Sequence, residues 1–241
     1  MNTITRYLLV FAVFGPSSPL LLAASFDCRK ASSRVEQRIC LNRELSELDE
    51  QLSSEYKGAL KATANPSELR ESQREWLERR NRCSDYARAP AEIDYCLKPK
   101  YQDRVTELRA LRTPLERTFG VYTNRHPRCF LAPDPRNDSR NMSVCDGFHE
   151  DRIALQRDRN GAIWIEMRLF FFNGHICTFE GRAIWEEGKL VAGDREEFKD
   201  EPCTFDLYTD GRHIITKDAS SACTRHCGMR GSLDGVKASK Q

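Results

Sequence analysis

Residues 163–185 read IWIEMRLFFFNGHICTFEGRAIW. Ile163, Ile165, Met167, Leu169 and Phe171 occupy every second position, and after Asn173-Gly174 the pattern resumes at Cys177, Phe179, Gly181, Ala183 and Trp185. A period of two places one set of side chains on one face of a strand, and Asn-Gly supplies the positive φ values of a tight reversal. This stretch is a β-hairpin. Similar signals surround it: Asn160-Gly161 before, Glu187-Gly188 and Asp210-Gly211 after. Leu190 and Ala192 alternate against Val191, Gly193 and Arg195, and Phe205 with Leu207 continue the pattern. Strands joined in succession by short turns form an antiparallel meander, and closure into a barrel removes its exposed edges. Gly120-Val121-Tyr122 is the expected opening strand and Gly228 to Leu233 the expected closing one. Phe170-Phe171-Phe172 puts aromatic groups on both faces of its strand. The Pro-, Asn-, Asp- and Arg-rich run Arg125 to Asp146 reads as a long loop bracketed by Cys129 and Cys145.

Upstream of Thr113-Pro114 the period changes. Leu45, Leu48, Leu52, Tyr56 and Leu60 fall on one helical stripe, with Asn42 as N-cap. Asn65-Pro66-Ser67-Glu68 stops that helix and starts another, with Asn65 as cap and Pro66 at the first helical position. Leu69, Gln73, Trp76, Leu77 and Arg80 share its face. A third helix is expected from about Pro90 to Leu111, with Ile93, Leu97, Tyr101, Val105 and Leu108 inward, and a short one over Ser33 to Leu41. The fold class is therefore α+β in two segregated parts. An all-α, disulfide-linked hairpin or bundle over residues 25–113 is followed by an antiparallel, barrel-like meander over residues 114–241.

Met1 to Ala24 reads as a secretory signal peptide: Arg6, an apolar run interrupted by Pro16 and Pro19, then small residues before Phe26. Two prolines argue against a stable membrane span. All ten cysteines follow it: Cys28, Cys40, Cys83, Cys96, Cys129, Cys145, Cys177, Cys203, Cys223 and Cys227. An even count behind an export signal reads as a disulfide framework in a periplasmic or secreted protein. The 38 Lys and Arg against 36 Asp and Glu give +2, and +1 once Arg6 is removed with the leader. That balance argues against nucleic acid as a partner.

The helical part resembles a known family. Phe26-Asp27-Cys28, Lys30-Ala31-Ser32, Glu36, Ile39-Cys40 and Glu44-Leu45-Ser46-Glu47-Leu48-Asp49 look like the opening of the LprI-type N-terminal domain of bacterial periplasmic proteins. Gln73-Arg74-Glu75-Trp76-Leu77 with Arg80 and Cys83, then Cys96, Tyr101 and Arg104, match its second signature. The resemblance spans about Phe26 to Leu111 and implies binding rather than catalysis, with inhibition of lysozyme as its sharpest form. The alternative is a structural or assembly module of the cell envelope that binds envelope proteins or peptidoglycan. Gln73, Trp76, Leu77 and Arg80 are expected to be packing and capping residues, the polar two bonding to chain ends or loop carbonyls. If the second helix runs back along the first, Cys83 lands near Cys40, which favours Cys40–Cys83 and Cys28–Cys96 among three pairings. The preferred set downstream is Cys129–Cys145, Cys177–Cys203 and Cys223–Cys227.

The segment Ser220 to Gly231 mixes small residues, basic side chains and two cysteines. Ser220, Ser221, Arg225, His226 and Arg230 are the candidate partner-binding residues, because lysozyme works with two carboxyl groups and Arg binds a carboxylate through paired hydrogen bonds. The other reading is a disulfide-pinned bend. Cys223, His226 and Cys227 are metal-ligand types, but a fourth ligand is not apparent and disulfides compete for the sulfurs. No metal, no cofactor and no enzymatic activity are expected: no Gly-x-Ser-x-Gly, His-Glu-x-x-His or phosphate-binding glycine loop occurs.

Overall fold

The computed structural model describes residues 24–186, 188–194, 202–218, 222–228 and 231–241. The leader expected at Met1 to Ala24 lies, except for Ala24, outside them. Four α-helices come first: α1 (Arg34–Leu41), α2 (Arg43–Ala62), α3 (Pro66–Asn81) and α4 (Pro90–Ala110). Helix α1 starts with a capping box in which Ser33 and Glu36 satisfy each other's backbone amides. Asn42 ends α1 and caps α2, accepting from the amides of Glu44 and Leu45. At α3 the expected cap is not made: Asn65 forms no side-chain capping bond, and Pro66 alone sets the first turn. Val35, Ile39, Leu45, Leu52, Trp76, Ile93, Leu97, Tyr101 and Leu108 form one buried cluster.

Eight strands follow: β1 (Gly120–Asp134), β2 (Asn137–Arg157), β3 (Ile163–Phe170), β4 (Ile176–Glu186), β5 (Lys189–Gly193), β6 (Thr204–Thr209), β7 (His213–Lys217) and β8 (Lys237–Lys240). Each pairs antiparallel with the next, and β1 also pairs with β8 through Tyr122↔Lys240 and Thr123↔Ser239, closing a barrel. The closing strand is thus β8 and not the expected Gly228 to Leu233. The inward residues are those of the alternating pattern: Ile165, Met167 and Leu169 on β3, Cys177 and Phe179 on β4, Leu190 and Ala192 on β5, Phe205 and Leu207 on β6. Gly161, Asn173, Gly174, Gly188 and Gly211 take positive φ at the four expected turns.

Arg125 to Asp146 is not a loop. It forms the outer part of β1 and β2, paired almost continuously from Gly120↔Leu155 to Asp134↔Asn137. Contacts with the neighbouring strands stop at Thr123 on one side and Arg152 on the other. Beyond those points the ladder is two-stranded and largely exposed, so no strong apolar alternation marks it. It touches the Phe172–Gly174 turn through Leu131 and Asn173, and the end of β3 through His149 stacked on Phe170. Register shifts fall at Pro127 and Pro133, where a missing amide would break a regular ladder. Cys129 and Cys145 face each other in the register and form the expected disulfide. A lone two-stranded ribbon is marginal in water, and the cross-link limits its unfolded alternatives.

The other four disulfides differ from expectation. Cys28–Cys40 and Cys83–Cys96 form, rather than Cys40–Cys83 and Cys28–Cys96. Helix α1 folds back against the turn at Cys28, and the turn after α3 places Cys83 against the start of α4, so each bridge closes a local connection. Cys177–Cys227 and Cys203–Cys223 replace Cys177–Cys203 and Cys223–Cys227. A single 3-10 turn, Ala222–His226, holds Cys223, which bridges to Cys203 just before β6, and Cys227 directly after it bridges to Cys177 on β4.

Helix α4 also touches the barrel. Lys217 on β7 bonds to Glu107, and Lys237 Nζ on β8 lies 2.7 Å from Asp103 Oδ1. Gly188, at φ +86°, lies against the chain just past α4: a Cβ there would come within 2.5 Å of Leu111 Cα. Gly161 has nearly the same φ, +84°, with open space around it. Gly188→Ala should therefore lower stability by about 1–3 kcal/mol more than Gly161→Ala, the added cost being overpacking rather than dihedral strain. Paired denaturation curves check this; equal losses would show that the contact is absent. Non-reducing peptide mapping should recover Cys177–Cys227 and Cys203–Cys223 peptides, and a Cys177–Cys203 peptide would contradict this pairing.

Candidate functional site

The signature residues face inward. Tyr101 Oη donates to Asp49 Oδ1 at 2.7 Å and accepts from Arg80 Nη1 at 3.1 Å. Asp49 Oδ2 accepts from the amide and hydroxyl of Ser25 at 2.9 and 2.6 Å. Arg80 reaches Asn81 with its other nitrogens, and the Trp76 ring meets Tyr101 edge-on, 5.1 Å between centroids. Burial, more than the neighbouring Asp49, raises the Tyr101 hydroxyl well above its ordinary pKa, so it stays a donor. Gln73 accepts from Arg104 Nε at 3.0 Å, and Leu77 packs half-buried on the helical core. The polar two therefore bond to helix side chains rather than to chain ends or loop carbonyls. Such buried bonds hold three helices in register and leave these residues unable to meet a partner.

The carboxy-terminal candidates separate. Ser220, Ser221 and Arg230 lie outside the described residues. Arg225 is exposed, its Nε 3.3 Å from the Ala222 carbonyl. His226 turns inward, with Nε2 2.8 Å from Asp194 Oδ2 and its ring edge-on to Phe179. Asp194 Oδ1 in turn accepts from the Cys203 amide at 2.7 Å. His226 is thus part of the barrel end. Asp194, Cys203 and His226 bring ligand-type atoms within 4.8 Å of one another. The Cys203 sulfur is bonded to Cys223, however, and supplies no thiolate.

A face of the helical part has the opposite character. Arg34 donates to the carbonyls of Ser84 and Ala87 at 3.1 and 3.0 Å. Arg38 grips Asp94 through both its Nε and Nη2, and Asn42 Nδ2 adds a third bond to Asp94 at 3.0 Å. These contacts, with Cys28–Cys40 and Cys83–Cys96 beside them, fix α1 to the α3–α4 connection and to the start of α4. From the segments so held project Leu41, Tyr86 and Tyr95, which are 76%, 92% and 85% exposed. They are the three most exposed of the large apolar residues among the described residues. Sequence reasoning missed them. The available signal was Tyr95, which falls off the Ile93, Leu97, Tyr101 stripe and sits beside a cysteine.

A second feature is the cleft between α3, α4 and the barrel, about 290 Å³ in volume, whose walls include Arg104, Glu107, Lys189, Tyr208 and Lys217. Arg104 is 5% exposed. Its Nη1 bonds Glu107 Oε2 at 2.8 Å, while its Nη2 has no hydrogen-bond partner.

Comparison with known proteins bears on the helical part. Residues 28–108 match the family model described as lysozyme inhibitor LprI. The chain is similar to lipoprotein LprI of Mycobacterium bovis and of Mycobacterium tuberculosis strains CDC 1551 and H37Rv. Each is 33% identical over 103 residues, covering 43% of this chain and 49% of the relative. The chain thus spans about half the length of the curated relatives it matches. No solved structure gives a significant match.

Two outcomes follow from this geometry. Tyr101→Phe removes the hydroxyl between Asp49 and Arg80, whose nearest atoms are 3.9 Å apart, and should cost about 1–3 kcal/mol in denaturant unfolding. A cost near zero would show that the pair closes on its own. The hydrogen bond from Arg38, then that from Asn42, holds the Asp94 carboxyl below its ordinary value against opposing burial. A depressed carboxylate stabilises above its unfolded pKa, near 3.8, and loses that contribution as pH falls through the folded value. Melting temperature between pH 5 and 2 should fall less steeply in Asp94→Asn than in the parent; identical slopes would contradict the linkage.

Proposed function

We propose that this is an exported, non-enzymatic binding protein whose helical domain inhibits lysozyme through the face bearing Leu41, Tyr86 and Tyr95. The observation that carries the reading is a coincidence of position. The LprI match ends at residue 108, and the exposed apolar face framed by two disulfides lies inside it. Tyrosine is favoured at binding hot spots because it supplies a large contact area with few rotatable bonds. A framework already fixed by covalent and charged contacts loses little further entropy on association. Export is supported by the leader-like segment, by five disulfides and by relatives named as lipoproteins. No helix among the described residues is long and apolar enough to cross a membrane.

The β1–β2 ribbon gives the envelope-module reading a surface of its own, since Leu131, Met142 and Phe148 are exposed along it. Under that reading the ribbon binds an envelope protein and the helical face binds nothing.

Purified protein should slow lysozyme clearing of cell-wall suspensions at near-stoichiometric amounts. The double variant Tyr86→Ala, Tyr95→Ala should weaken inhibition by about tenfold or more with an unchanged melting temperature, equivalent to about 1.4 kcal/mol or more. Arg225→Ala should leave it unchanged. Absence of inhibition at large excess over c-, g- and i-type lysozymes would overturn the reading, and loss with Arg225→Ala alone would move the site to the barrel end.

A further inference from the structure

The cleft between the helices and the barrel contains a donor without an acceptor. Arg104 is held on two sides, Nε by Gln73 and Nη1 by Glu107, so its guanidinium plane is fixed. Its Nη2 is buried with no partner. A guanidinium nitrogen taken out of water without an acceptor costs free energy, and more so when charged. The helices do not supply that acceptor, and on the strands opposite the Asp206 carboxylate is engaged by Lys189 and Tyr208. Lys189 Nζ lies 2.8 Å from Asp206 Oδ2, Tyr208 Oη donates to the same oxygen at 3.3 Å, and Lys217 bonds Glu107.

Arg79, Arg104, Lys189 and Lys217 line the cleft with Glu68 and Glu107, and Arg79 and Lys189 also pair with Glu75 and Asp206 outside it, so the charges balance and the unmet demand is that of Arg104 Nη2. Leu69, Leu108 and Leu111 supply an apolar wall beside these groups. Burial, then Asp206, keeps the Tyr208 phenol protonated far above neutral pH, so it too is a fixed donor. The volume, about 290 Å³, is at the small end of ligand pockets.

We propose that this cleft binds a compact monocarboxylate with an apolar body, the carboxylate accepting from Arg104 Nη2 and facing Lys189 while the apolar part lies on the leucines. One unpartnered guanidinium nitrogen beside a leucine wall matches a single carboxylate on an apolar body better than a wholly polar dianion. The site joins the two parts of the chain, so its ligand also bridges them. It is separate from the Leu41, Tyr86 and Tyr95 face and does not depend on lysozyme binding.

Calorimetric titration of the full mature chain tests this with N-acetyl-leucine, its neutral amide N-acetyl-leucinamide, and inorganic phosphate. N-acetyl-leucine should saturate one site. The amide and phosphate should bind at least about tenfold more weakly, the loss of one charge-assisted contact. Arg104→Lys keeps the charge but removes Nη2, and should weaken N-acetyl-leucine by about tenfold. Lys189→Met, at a half-buried position, should do the same in a protein whose far-UV circular dichroism shows it folded, with a lowered melting temperature from the loss of its Asp206 pair. Failure of N-acetyl-leucine to saturate, as when a trapped water alone meets Nη2, would overturn the proposal. So would equal binding of the amide or of phosphate, or unchanged affinity in Lys189→Met.

Discussion

Helix α4 must be covered on two sides at once, and the arrangement of the chain follows from that demand. Its first half puts Ile93, Leu97 and Tyr101 into the helical core, and its second half also meets β6 and β7. Covered on two sides, α4 keeps the stripe through Tyr95, Lys98 and Gln102 in solvent, and Arg104 and Glu107 fall off it and are enclosed. Buried charges are tolerated when they are paired and hydrogen-bonded. The chain Gln73–Arg104–Glu107–Lys217 provides this and in doing so links α3, α4 and β7. The one atom it leaves unmet, Arg104 Nη2, is buried in a residue that lines the cleft created by the same packing.

Disulfides complete what packing leaves weak. The helical domain is small, and small domains bury too little surface to be very stable unaided. Its two bridges lie at the connections around α1 and α4, where Arg34, Arg38 and Asn42 also act. Covalent, charged and hydrogen-bonded constraints therefore converge on one face, which accounts for how Leu41, Tyr86 and Tyr95 can be both exposed and fixed. At the other end of the molecule, Cys177–Cys227 and Cys203–Cys223 anchor a turn that closes the barrel, and Asp194 with His226 fills the space beneath it.

What was legible in the sequence was what periodicity encodes. The Leu45 to Leu60 stripe, the Ile163 to Leu169 alternation and the Asn-Gly and Asp-Gly turns all describe a residue's relation to its near neighbours, and the structure follows them. The β1–β2 ribbon was not legible because largely exposed strands carry little apolar alternation, and Pro127 and Pro133 mask the remainder. Disulfide pairing depends on where chain ends meet after folding: Cys223 and Cys227 are four residues apart yet serve opposite partners. His226 looked available because its neighbours are polar; only Asp194, distant in sequence, turns it inward. Tyr86 and Tyr95 were visible as aromatics but not as a face, since the bonds that assemble it run from Arg34, Arg38 and Asn42 across more than fifty residues.

The binding reading joins the LprI-like region to the residues Leu41, Tyr86 and Tyr95. Hydrogen–deuterium exchange of the mature protein with and without excess lysozyme tests it most directly. The account predicts new protection in residues 34–42 and 84–98 and none along the β1–β2 ribbon. Protection confined to the ribbon or to the Ala222–His226 turn, or no change anywhere, would contradict it.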